Sequence, residues 1–142
     1  MEVLSLTDGN SRLELGLARW DGDAYITVLV DSRGFTGRND LHVLGGAFRK
    51  FCKDLIALQS TLRGEAHLTA LEPSELDVRI VPADRRGHIA VVGATGYHIQ
   101  MAHTAYWHDV HFGFQIEPTQ LDRAVQVRWV RMYGQENAQL GA

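Results

Sequence analysis

The sequence has a single cysteine, Cys52, among its 142 residues. No internal disulfide can therefore staple it, and such sparing use of cysteine suits a reducing, cytoplasmic setting. It has no apolar run of the ~18 residues that a membrane-spanning helix needs. Its opening, MEVLSLTDGNSR, has neither a basic stretch nor an apolar one, so no secretory leader is read there. Excess positive charge is missing too: 14 basic residues stand against 17 acidic ones, a formal net charge of −3. That excludes the electrostatic footprint of a DNA binder. No Lys or Arg occurs between Arg86 and Arg123, so the aromatics of that stretch do not form a single-stranded nucleic-acid groove. Repeats, linkers and low-complexity segments are also lacking. What is present is ordinary globular composition, 45% hydrophobic and 22% charged, which predicts one domain over residues 1–134 and a loose tail over 135–142.

Helical period is clearest from Leu44 onward. The apolar positions Leu44, Phe48, Phe51, Leu55, Leu58 and Leu62 alternate spacings of four and three, which keeps them on one stripe for about five turns. Asn39 or Asp40 is the expected N-cap and Gly64 the expected left-handed stop. A second helix is predicted from Pro118 or Thr119 to Gly134, with Leu121, Val125, Trp129 and Met132 inward. Most other segments alternate with period two, as in Leu13-Leu15-Leu17, Ile26-Val28-Val30, Ala66-Leu68-Ala70, Leu76-Val78-Ile80, Ile89-Val91, Tyr97-Ile99-Met101 and Val110–Ile116. Breakers bound them, including Glu72-Pro73-Ser74 and Gly93-Ala94-Thr95-Gly96. Clean alternation with short gaps is the habit of antiparallel meanders. The expected fold is therefore α+β: a mostly antiparallel sheet of about seven or eight strands, covered by one long helix, with a second helix at the C-terminus.

Candidate chemistry is sparse. His98, His103, His108 and His111 cluster around Asp109, but their spacing matches no zinc motif, so no metal is expected. Strand parity puts His98, Asp109 and His111 on one wet face and sends His108 to the other. Tyr106 and Trp107 are read at a turn, as interface aromatics. Cys52 has no pattern that marks a nucleophile, Leu44-Gly45-Gly46-Ala47 falls within helical period rather than in a phosphate loop, and no serine has nucleophile-elbow surroundings. No catalytic residue or cofactor site is read.

Charge comes in blocks. Residues 1–31 hold six acids and two bases, residues 32–63 two acids and six bases, and residues 64–84 five acids and one base. The exposed stretches 19–24, 31–39 and 82–87 carry Asp21, Asp23, Asp31 and Asp84. Turn acids of this kind contribute little to folding and would suit a basic partner.

Four stretches carry a family resemblance: Asp23–Val28 ahead of the turn Gly34-Phe35; the helix from Leu41 to Leu62; Ala66–Leu71 running through Glu72-Pro73 to Leu76-Asp77-Val78; and Val110–Ile116 leading through Glu117-Pro118-Thr119-Gln120-Leu121 into the last helix. In this order the chain resembles small bacterial immunity proteins of the WapI-associated type, which are encoded beside contact-dependent toxins. The resemblance implies a non-enzymatic protein that binds and neutralises a cognate toxin, such as a basic nuclease domain. It transfers no catalytic residue. On that reading the partner-binding candidates are Asp21, Asp23, Asp31, Asp84, His98, Tyr106, Trp107, Asp109 and His111. The alternatives are a small-ligand-binding or enzymatic domain with a cavity between sheet and helix, and a structural subunit.

Overall fold

The alternating segments form two antiparallel meanders separated by the long helix. A computed structural model describes residues 1–135; apart from Gln135, the tail expected over 135–142 lies outside the described residues. Strands β1 (Val3–Thr7), β2 (Ser11–Trp20), β3 (Ala24–Ser32) and β4 (Phe35–Val43) pair in chain order as one sheet. Helix α1 (Gly45–Thr61) follows. Strands β5 (Ala66–Thr69), β6 (Leu76–Pro82), β7 (Ile89–Met101) and β8 (Thr104–Ile116) then pair in chain order as a second sheet, and α2 (Thr119–Ala124) and α3 (Arg128–Gly134) close the chain. Among the described residues, no helix is long and apolar enough to cross a membrane.

The single sheet expected from the alternation is thus two four-stranded sheets. Period two fixes which side chains share a face, but it does not say which strand lies beside β4 once seventeen helical residues intervene. At that junction the Leu71 N–H donates to the His42 carbonyl at 2.7 Å, one backbone bond where a continuous sheet would have a ladder. Both sheets turn their apolar faces to one cluster, which also takes side chains from all three helices. Leu13, Leu15, Val28 and Val30 enter it from the first sheet, and Leu68, Val78, Ile80 and Val91 from the second. At its last residue the outer edge of β1 is capped by Gln120, whose amide accepts from the Thr7 N–H at 2.9 Å and donates to the Thr7 carbonyl. That blunts a strand edge that would otherwise recruit another chain.

Four local expectations change. Along α1, Phe48, Phe51, Leu55 and Leu58 are buried as the stripe requires, whereas Leu44 and Leu62 are 49% and 38% exposed. They sit at the N-cap and at a left-handed C-cap, where the backbone has left the helical path. The predicted C-terminal helix is broken at residues 125–127. Extended backbone at Val127 restarts the turn, so Val127, Trp129 and Val130 face inward and Met132 outward. The breaker Gly93–Gly96 lies inside β7 rather than ending a strand. A Cβ at Gly93 would stand 2.2 Å from the Asp77 carbonyl oxygen, so this glycine admits the backbone of β6.

The fourth change concerns capping. Asn39 and Asp40 belong to β4, a strand without apolar alternation in its first six residues. The first turn of α1 is held instead by Asp23, which is remote in sequence. One of its oxygens accepts from the Gly45 N–H at 2.8 Å, and the other pairs with His42 Nε2 at 2.8 Å. These bonds, that to His42 first, hold the Asp23 carboxyl below its ordinary pKa of 3.8. Asp23 is therefore not an idle turn charge. Asp21, by comparison, makes only looser contacts in solvent, accepting from the Asp23 N–H at 3.3 Å and facing Arg19 at 3.8 Å. Asp23→Ala should lower the thermal midpoint clearly more than Asp21→Ala. A carboxyl whose pKa falls on folding stabilises the fold above its unfolded pKa, and that stabilisation is lost as pH drops through the folded value. The gap between wild type and Asp23→Ala should accordingly be full at neutral pH and close below about pH 4, as thermal melts across that range would show.

Candidate functional site

Strands β7 and β8 outrun the sheet they belong to. The pairing of β7 with β6 ends at Thr95 opposite Leu76, while its pairing with β8 continues to Met101 opposite Thr104. Beyond Thr95 the two strands form an arm to which, among the described residues, no third strand pairs, and every residue from 97 to 109 is exposed. Ala102, with φ of 55°, helps turn its tip.

The arm has two chemically different faces, set by strand parity. The inner face continues the line of Ile89, Val91 and Thr95 out of the core, as Tyr97, Ile99 and Met101 on β7 and Tyr106 and His108 on β8. The outer face carries His98, Gln100, Trp107 and Asp109, followed by His111. On the inner face the Tyr97 and His108 rings stack at 5.0 Å; on the outer face His98 and Trp107 lie 4.6 Å apart. His111 Nε2 stands 3.7 Å from an Asp109 oxygen. Parity thus gathers His98, Asp109 and His111 on one face and sends His108 to the other, as the alternation implied. Tyr106 and Trp107, expected at a turn, lie within β8, because the register with β7 is kept far past the core. Among the described residues, no three His, Cys, Asp or Glu side chains are placed to hold a metal ion.

The root of the arm leans on β4. Asn39 Nδ2 donates to the Gly96 carbonyl at 2.7 Å. Between them lies an open cleft of about 540 Å³, with Thr36, Arg38 and Asn39 on one wall and Tyr97, His108 and Asp109 on the other. Of the five acidic candidates, Asp109 lines this cleft, and Asp31 lies one strand behind it, paired with Thr36. Asp21 and Asp23 sit at the opposite end of the first sheet, roughly 25 Å away along β3 at ~3.3 Å per residue. Asp84 anchors the turn between β6 and β7, at the end of β7 remote from the arm. Its carboxylate accepts from the backbone N–H groups of Arg86 and His88 and pairs with His88 Nδ1 at 2.7 Å. The bond to His88 holds Asp84 below its ordinary pKa, and Asp84 in turn raises that of His88. The fold therefore brings together His98, Trp107, Asp109 and His111, with Tyr106 on the reverse of the arm; Asp31 stays on β3 behind Thr36, and Asp21, Asp23 and Asp84 lie farther off.

Sequence reasoning missed the inner face of the arm. Tyr97-Ile99-Met101 alternates just as the buried runs do, yet these side chains are 40%, 43% and 61% exposed. The available signal was the length of the paired runs, thirteen residues each, against a partner β6 of only seven. Cys52 is buried in α1, and the side chains that α1 turns inward are apolar. Comparison with protein-family models, with curated proteins and with solved structures gave no match.

Proposed function

We propose that this protein is a non-enzymatic binding protein of the immunity or antitoxin kind, which neutralises a cognate toxin by covering its active surface, and that the outer face of the β7–β8 arm makes the contact. One observation carries the reading: a two-stranded arm reaches beyond the core with all its side chains from 97 to 109 in solvent. A body that needed these residues only for folding would bury at least one face of them. Trp107, in tilted contact with His98, supplies the rigid aromatic anchor that protein interfaces concentrate. Asp109, on the same face, adds negative charge, suited to a basic surface such as a nuclease domain; opposed charges speed association, and the gain falls with salt.

The test is co-expression with the toxin domain encoded in the neighbouring gene. Wild-type protein should protect the cells and copurify with the toxin. Trp107→Ala combined with His98→Ala should weaken the complex about thirtyfold, the effect of losing one interface hot spot, while leaving the thermal midpoint in place. Absence of both protection and complex at micromolar concentration would sink the immunity reading, and the cleft at the root of the arm would become the place to look for a small ligand.

A further inference from the structure

We infer that the inner face of the arm is a self-association surface, on which a second copy of this chain docks about a twofold axis. This goes beyond the toxin-binding reading and uses the opposite face, so either proposal can fail without the other.

An isolated two-stranded ribbon is marginal in water, and such ribbons persist when their apolar face is covered. Here the inner face is the core-facing stripe of β7 and β8 carried on without its cover. It presents Tyr97 (40% exposed), Ile99 (43%), Met101 (61%) and Tyr106 (53%). A twofold contact sets the same patch against itself, so any formal charge on it would meet its own kind. The stripe from residue 97 to 101 and from 104 to 108 contains no Asp, Glu, Lys or Arg; Asp109 lies on the outer face. The exposed parts of these side chains amount to about 500 Å² per copy and so about 1,000 Å² per pair, near the smallest area that holds a specific interface. The surface therefore fits a dimer of micromolar rather than nanomolar strength. The cross-strand pairing of Ile99 with Tyr106 at the middle of the stripe places an aliphatic and an aromatic side chain side by side at the centre of such a contact.

Sedimentation equilibrium of the intact chain, from sub-micromolar to hundred-micromolar concentration, tests this directly. The weight-average mass should rise from 15.9 kDa towards twice that value with increasing concentration. Ile99→Lys should shift the midpoint of that rise at least tenfold upward in concentration. Met101→Lys, at the most exposed position of the stripe, does the same at a site where folding is least at risk. Trp107→Ala on the outer face should leave the rise unchanged, and all three variants should keep the wild-type thermal midpoint within a few degrees. A wild-type mass of one chain at every concentration overturns the inference, and so does a dimer that survives both lysine substitutions.

Discussion

Phe48→Ala should cost about 3–5 kcal/mol of unfolding free energy. Phe48 is fully buried and is the hub at which α1 meets β2 and α3. Its ring lies 6.1 Å from that of Trp20, 5.3 Å from Trp129 and 5.8 Å from Tyr133. Truncation removes the six ring carbons and their contacts on every side and leaves a void walled by rings that do not bend into it. Trp20 and Tyr133 already lie against each other, centroids 4.2 Å apart, and Trp129 Nε1 donates to the Glu2 carbonyl at 3.1 Å, so the wall is held in place and cannot collapse cheaply. Aromatic pairs of this kind also contribute about 0.5–1.5 kcal/mol beyond their buried area. Against a typical total stability of about 5–15 kcal/mol the loss is large. Chemical denaturation would measure it as a lower midpoint at unchanged slope; a cost under about 1 kcal/mol would mean that the aromatic cluster is not the packed joint described above.

Gly45→Ala should be the most damaging single-methyl change at the start of α1. A Cβ there would stand 2.0 Å from the Gly22 carbonyl oxygen and 3.1 Å from the Gly22 carbonyl carbon. Neither neighbour is the end of a flexible side chain. The helix and the β2–β3 turn must therefore separate, which strains the bond from the Gly45 N–H to Asp23. Alanine favours helix over glycine by about 1 kcal/mol, but forcing atoms into a closed contact costs about 1–3 kcal/mol or more. With an overlap this deep the net is a loss of about 2 kcal/mol. Gly46→Ala is the control. Its Cβ would meet nothing within 4 Å, so only the propensity gain applies and the variant should be as stable as wild type or better. Paired denaturation curves would show the two neighbours moving in opposite directions. Equal effects would refute the close approach at Gly22.

The immunity reading proposed above draws its kind of function from sequence pattern, and that pattern names no residue. The acidic turns are instructive on this point. Asp21, Asp23, Asp31 and Asp84 look alike in the sequence, as exposed acids beside turn residues. In the fold, Asp23 caps a helix that begins twenty-two residues later, Asp84 ties down its own turn, and Asp31 stands opposite Arg12 and Thr36 in the first sheet. Sequence spacing cannot rank them, because what distinguishes them is the partner each one meets in space.

Period by itself determined the strand faces and the long helix. Ile26-Val28-Val30, Leu76-Val78-Ile80 and the central positions of α1 are buried where the alternation and the four-three spacing put them, since the geometry of a strand or helix fixes which side chains point together. Only the tertiary structure decided the rest. It divided the strands into two sheets, supplied Asp23 as the cap of α1, broke the last helix so that Val127 and Val130 turn inward, and left Tyr97, Ile99 and Met101 without a cover. The reason is common to all four. Facing is a property of one segment's own backbone, but burial, pairing and capping each require a second segment. Which segment arrives there is settled by the packing of the whole chain.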